Sequence, residues 1–225
     1  MNLDHNQYNN HEVEETLKTL LKILHDLNVK HLFLGSLVLS AIHGSQHRRL
    51  GDFDLLLDVS KHPKVKKRLL ELGFTEAGGM FSFARKYLSI ETLVHPTLVS
   101  IGYFYGTWKD NGSFLMGGAR NHLSVDARAL QPTEYALYGQ SFQGLPKATI
   151  ARGIHASKHN PKRKKEIQIL QEQNIQPMQD DYIHVTIVYV RCDWLYYFSM
   201  KLLNMLGAIR VMLGKPFDPW RSKIQ

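Results

Sequence analysis

Cysteine is almost missing from this sequence: Cys192 stands alone among 225 residues. A lone thiol excludes an internal disulfide and a cysteine-rich metal centre, and it fits a reducing compartment. Internal repeats and low-complexity tracts are also missing, which excludes a repeat architecture. The amino terminus, MNLDHNQYNNHEVEE, lacks a basic-then-apolar leader, and residues 1–10 read as a disordered lead-in. No long uncharged apolar run is present. The best candidate, Trp194–Leu213, is interrupted by Lys201 and Arg210, whereas a spanning helix prefers about 20 apolar residues with few charges. It reads as a helix packed on the domain or on a partner, or as one resting at a membrane surface. Acidic residues are the minority, 20 against 28 Lys and Arg, for a net charge of +8. That balance suits an anionic partner such as a nucleotide, a nucleic acid or an anionic lipid, without choosing among them.

What is present is ordinary for a soluble globular protein, with 44% apolar and 21% charged residues, enough for one good-sized domain or a domain with an appendage. The informative stretch runs from His31 to Asp58, HLFLGSLVLSAIHGSQHRRLGDFDLLLD. It reads as a short strand, a Gly-Ser turn, a short helix, a basic loop and a second strand. Strand side chains alternate, so Asp52 and Asp54 share one face while Phe53 and Leu55 point to the other. Same-face neighbours lie about 6.6 Å apart, a spacing at which two carboxylates can hold one or two divalent ions. Gly35-Ser36 opens the helix, and the free N–H groups and positive dipole end of a helix start are a seat for phosphate. Arg48 and Arg49, in the loop before the aspartates, match phosphate bidentately or act as local partners of the acidic pair.

Gly35-Ser36, Arg48-Arg49 and Asp52-Phe53-Asp54-Leu55-Leu56, in that order, resemble the signature of the DNA polymerase β-like nucleotidyltransferase superfamily. The resemblance spans roughly residues 11–170 and is sharp in this opening motif. It implies an α/β (α+β) fold, a small mixed sheet with flanking helices, and Mg²⁺- or Mn²⁺-dependent transfer of a nucleoside monophosphate. It implies metal binding by Asp52 and Asp54, with Gly35, Ser36, Arg48 and Arg49 on the phosphates. A third carboxylate on a later strand is common in the superfamily. Glu91, in the alternating stretch Leu88–His95, is the candidate for metal binding or for activating the acceptor hydroxyl, and Asp126 is its competitor.

Other stretches extend this reading. Val13, Leu17, Leu20, Leu21, Leu24 and Leu27 place a helix over His11–Asn28 that covers one face of a sheet. Pro63–Leu72 reads as a helix with a basic outer face, ended by Gly73. Phe81–Arg85, Leu88–His95, Leu98–Gly106, Phe114–Arg120 and His122–Arg128 read as strands or extended segments. Tyr103, Tyr105 and Trp108 are aromatics for stacking a base or for filling a core. Residues 130–170 resemble the closing part of small nucleotidyltransferases, a lysine-bearing helix followed by a basic segment. Lys158, Lys162, Arg163, Lys164 and Lys165 supply the basic character and Glu166 stands where Asp is usual; Lys158 is the expected phosphate-binding cation. TEYALYGQSFQGLP resembles fukutin and the bacterial phosphocholine transferases, which implies a CDP-linked donor as the alternative to a nucleoside triphosphate.

The expected organisation is a nucleotidyltransferase-like domain over 11–170, a linker over 171–181 and an apolar, helical appendage over 182–225. The expected partners are a nucleotide donor (a triphosphate or a CDP-linked one) and a small-molecule or glycan acceptor. Nucleic acid on the Lys158–Lys165 cluster is a further option, as is a catalytically silent regulatory module. The expected location is cytoplasmic, with peripheral membrane contact through the C-terminal segment as the variant.

Overall fold

The computed structural model describes residues 5–77, 89–117, 121–160, 163–180 and 183–187. The order of elements is α1 (His5–Asp26), β1 (His31–Leu34), α2 (Ser36–His43), β2 (Asp52–Asp58), α3 (His62–Glu71), β3 (Thr75–Glu76), β4 (Ile90–Val94), β5 (Ser100–Trp108), β6 (Phe114–Gly117) and β7 (Asn121–Val125). A 3₁₀ turn (Ala127–Leu130) then leads to β8 (Thr133–Leu137), β9 (Gln140–Gly144), α4 (Lys147–Ala156), α5 (Arg163–Glu172) and β10 (Ile183–Ile187). The result is the expected α/β architecture, one mixed sheet with flanking helices.

The sheet runs β10-β7-β6-β5-β2-β1-β9-β8, with β4 pairing on β5 and β3 on β4. At its centre β2 lies antiparallel to β1 and parallel to β5. Phe53, Leu55 and Leu57 alternate along β2 and are all buried, the pattern of a strand covered on that face. Leu56, on the other face, is buried too, so the middle of β2 is enclosed on both sides, as a parallel-paired central strand requires. Val13, Leu17, Leu20 and Leu24, spaced three and four apart on α1, are essentially inaccessible and form the helix's core face.

Three expectations change. α1 begins at His5, so residues 5–10 belong to the helix and not to a lead-in. Ile175 and Met178 pack on the core and the Met178 N–H donates to the Ala148 carbonyl, so the expected linker is docked. Ile183–Ile187 pairs antiparallel with β7, which makes it a strand of the main sheet and not part of an appendage. The expected strand at Phe81–Arg85 and the apolar stretch Trp194–Leu213 lie outside the described residues. Among the described residues no helix is long and apolar enough to cross a membrane.

Candidate active site

Asp54 lies at the point where β1, β2 and β5 meet. Its register partners are Leu34, the last residue of β1, and Gly102 on β5. The chain leaves β1 through Gly35, whose φ of +71° suits glycine, and turns directly into α2 at Ser36. A Cβ at Gly35 would stand 2.9 Å from Asp54 Oδ2, and one at Gly102 would stand 2.9 Å from Asp54 Oδ1. The carboxylate is therefore seated between two glycines, each leaving room for one of its oxygens. Asp52, on the same face of β2, is exposed at the rim. Burial pushes the Asp54 carboxyl up to about 7; the charge of Asp52 adds to that, while Arg163 and Arg48 oppose it.

Those two arginines meet on one buried acid. Arg48 Nε donates to Glu166 Oε1 at 3.1 Å, its Nη2 donates to the Ser36 hydroxyl, and its Nη1 donates to the Arg49 carbonyl at 3.2 Å. Arg163 Nη1 donates to the second oxygen of Glu166, and Arg163 Nε donates to Ser157 Oγ at 3.0 Å. The Glu166 side chain has no solvent exposure. Burial alone would raise its carboxyl, but the Arg163 and Arg48 guanidiniums that hydrogen-bond it outweigh that and hold it at about 2. His47 closes the back of the cluster. The Ser40 hydroxyl donates to the Ser36 carbonyl at 2.9 Å, so His47 Nδ1 is the donor in its 3.0 Å contact with Ser40 Oγ. His47 Nε2 then lies 3.6 Å from Glu166 Oε1, beyond a hydrogen bond.

The structure brings Asp52, Asp54, Gly35, Ser36 and Arg48 together. It does not bring Glu91. Thr92, not Glu91, aligns with Gly102 and hence with Asp54, so Glu91 points to the opposite face of the sheet. There it receives hydrogen bonds from His62 (2.7 Å), Lys66 (2.6 Å) and Tyr103 (2.9 Å). Burial would raise its carboxyl, and those three donors bring it to about 2 instead. Glu91 thus tethers α3 to the sheet. Asp126 is no substitute, for it sits at the start of the 3₁₀ turn and accepts from Arg128 at 3.2 Å. Among the described residues, no group of three or more His, Cys, Asp or Glu side chains is placed to hold a metal ion. Arg49 is exposed beside Arg48, and Lys158 is exposed in the turn after α4. Arg163 holds the inward position expected of Lys158. Its signal was the buried-acid spacing Arg163–Glu166, which puts both residues on one side of α5. Tyr103 and Trp108 serve packing: Tyr103 is fully buried and Trp108 packs against Phe114 with ring centroids 4.8 Å apart.

No protein-family model and no curated protein sequence matches the chain. Solved structures do. The lincosamide antibiotic adenylyltransferase LnuA with lincomycin bound superposes with a TM-score of 0.58 at 17% identity, covering 72% of this chain and 98% of that one. The antibiotic-resistance factor ANT(2″)-Ia in complex with adenylyl-2″-tobramycin gives 0.52 at 11% identity, covering 72% and 92%. Its solution structure gives 0.51 at 12% identity, covering 71% and 81%. At these identities the likeness is one of fold, and the chain has the fold of these nucleotidyltransferases.

Proposed function

We propose that this chain is a metal-dependent nucleotidyltransferase that moves a nucleoside monophosphate from a nucleoside triphosphate to a hydroxyl of a small-molecule acceptor. The observation that carries the proposal is the Asp54 carboxylate, seated between Gly35 and Gly102 at the start of α2, with Asp52 on its own face and two arginines beside it. The neighbours in fold include one protein bound to lincomycin and one in complex with adenylyl-tobramycin, which supports a compact hydroxyl-bearing acceptor.

The donor set fits one divalent cation. Asp52 raises the Asp54 carboxyl, which means the pair is short of positive charge, and a cation shared between the two carboxylates relieves that repulsion. Mg²⁺ or Mn²⁺ held there would neutralise charge building on the donor's phosphates during transfer. The protein's own groups do the rest. Gly35, lacking a side chain, lets phosphate approach the backbone; the first N–H groups of α2 and the Ser36 hydroxyl donate to it. Arg48 and Arg49 supply cationic forks to the same oxygens. The acceptor oxygen bonds to the α-phosphorus, the bond to the pyrophosphate oxygen breaks, and the hydroxyl proton leaves to solvent. Glu91, on the far face, takes no part.

Mass spectrometry of the purified chain with Mg²⁺ or Mn²⁺ tests this. The mixtures hold the four ribonucleoside triphosphates, CDP-choline and CDP-ribitol as donors, with lincomycin, tobramycin, sugars and a cell extract as acceptors. A product heavier by a nucleoside monophosphate, lost in Asp52→Ala/Asp54→Ala, supports the proposal; a polyol- or choline-phosphate adduct replaces it with CDP-linked chemistry. Asp54→Asn removes the repulsion with Asp52, so it should abolish turnover while leaving Tm unchanged or higher. Full activity in that variant would overturn the assignment.

A further inference from the structure

The cluster behind the carboxylates has a design that the transfer reading alone does not require. Glu166 is wholly buried, lies 118 residues from Arg48 in sequence, and spends each of its two oxygens on a different guanidinium. Arg48 and Arg163 come from different elements, the loop before β2 and the start of α5, and they converge only through this carboxylate. Each is braced a second time by a hydroxyl, Arg48 by Ser36 and Arg163 by Ser157. Both remain partly exposed, with side-chain accessibilities of 33% and 29%, so each fork keeps N–H donors free to face a ligand. Both also act on Asp54 through their charge, so the pair stands near the carboxylates.

We propose that Arg48 and Arg163 form a two-pronged clamp for the donor's β- and γ-phosphates, and that Glu166 is the positioning residue that sets the spacing and direction of its prongs. The inference rests on the nucleotidyl-transfer reading and adds to it a phosphate ligand, Arg163, and a residue that never touches substrate. A guanidinium recognises phosphate through a planar fork, so its orientation matters as much as its charge. Two free arginines on separate elements would repel each other and splay. One carboxylate between them cancels that repulsion and leaves the remaining N–H groups aimed outward.

Two explanations of Glu166 predict opposite signs. If the carboxylate merely offsets positive charge, neutralising it makes the site more cationic and phosphate binds more tightly. If it positions the clamp, neutralising it loosens the clamp and phosphate binds more weakly. Glutamine is the discriminating replacement, because its amide has one acceptor oxygen and one donor NH₂. It can keep one guanidinium and must repel the other.

The probe is inorganic tripolyphosphate, titrated calorimetrically into the full chain in the presence of Mg²⁺, so that neither the base nor the acceptor needs to be known. Glu166→Gln should weaken binding by about tenfold or more, the scale of a lost charge-assisted hydrogen bond. Glu166→Asp, which keeps both oxygens but shortens the reach, should recover part of that loss. Arg163→Lys, which keeps the charge and loses the fork, should weaken binding by about fivefold; it also provides the test should Glu166→Gln fail to fold. Unchanged or tighter binding in Glu166→Gln, or wild-type affinity in Arg163→Lys, overturns the clamp while leaving the transfer reading standing. A wild-type chain that binds no tripolyphosphate overturns both. A lowered Tm with unchanged affinity assigns Glu166 a structural role only and also overturns the proposal.

Discussion

Replacing Gly102 by alanine gives a test of the site in which sterics can be worked out atom by atom. Gly102 sits within β5 without a positive φ, so alanine adds no backbone strain, and it removes some unfolded-state freedom, worth about 0.4–1 kcal/mol in favour of the fold. The new Cβ would meet Asp54 Oδ1 at 2.9 Å, while its next neighbours, the Phe53 carbonyl and Thr92 Oγ1, lie at comfortable distances of 3.8 and 3.9 Å. The whole conflict therefore falls on one carboxylate. Relieving it to an ordinary 3.4 Å contact needs a displacement of 0.5 Å (3.4 less 2.9) in a carboxylate whose other oxygen already fills the space beside Gly35. Sites need their groups held within about 0.5 Å, and a misplacement of about 1 Å costs roughly a hundredfold, so half that shift should cost about tenfold in turnover. Mn²⁺ affinity, read by electron paramagnetic resonance, should fall in parallel, while Tm should move by only a few degrees. The control is Gly106→Ala, whose Cβ would collide with the Leu115 backbone carbonyl oxygen, an atom that cannot yield; that variant should be strongly destabilised. Unchanged turnover and Mn²⁺ affinity in Gly102→Ala, or a collapse in its Tm, would refute the seating of Asp54.

Three further outcomes are expected. Glu91→Ala strips Lys66 and His62 of a buried partner and should cost about 3 kcal/mol by urea denaturation, yet leave turnover per folded molecule within about twofold, since it faces away from Asp54. Glu91 and Glu166 are both held at about 2 in the fold against an ordinary 4.5. A depressed carboxyl adds stability that is complete above the ordinary value and drains away as pH falls through the folded one. Urea midpoints should therefore fall steeply as pH drops from about 4.5 to 2, and Glu91→Gln should flatten part of that slope; Asp54, raised to about 7, works the other way and lowers them as pH climbs from about 4 towards 7. Thr16 Oγ1 accepts from the buried Val99 N–H at 3.0 Å and donates to the Glu12 carbonyl, so Thr16→Val should cost about 1–3 kcal/mol in a denaturant titration.

The opening motif was legible because its information is local. β1 occupies the expected His31–Leu34, and Gly35, Ser36, Asp52 and Asp54 converge as their spacing implies. Glu91 shows where local information stops. Alternation along β4 says that Glu91 and Leu93 share a face, but not which face of the sheet that is. The register between β4 and β5 decides it, and shifting that register by one residue would have turned Glu91 towards Asp54. The same limit explains Lys158 and Arg163. Both lie in one basic segment, and the docking of α5, whose buried Glu166 accepts from Arg48 on a loop more than a hundred residues upstream, determines which of them turns inward. β10 reads as part of an appendage because a strand partner separated from it by two strands and two helices leaves no mark on its own residues.

The 118-residue separation between Arg48 and Glu166 also sets an order of assembly. β1, α2 and β2 are contiguous, so the carboxylate hairpin closes early and at small entropic cost. Arg163 and Glu166 wait for α5, synthesised after nearly three-quarters of the chain. A nascent chain therefore presents its two aspartates with Arg48 alone beside them, and the docking of α5 adds the second guanidinium together with the acid that ties the two.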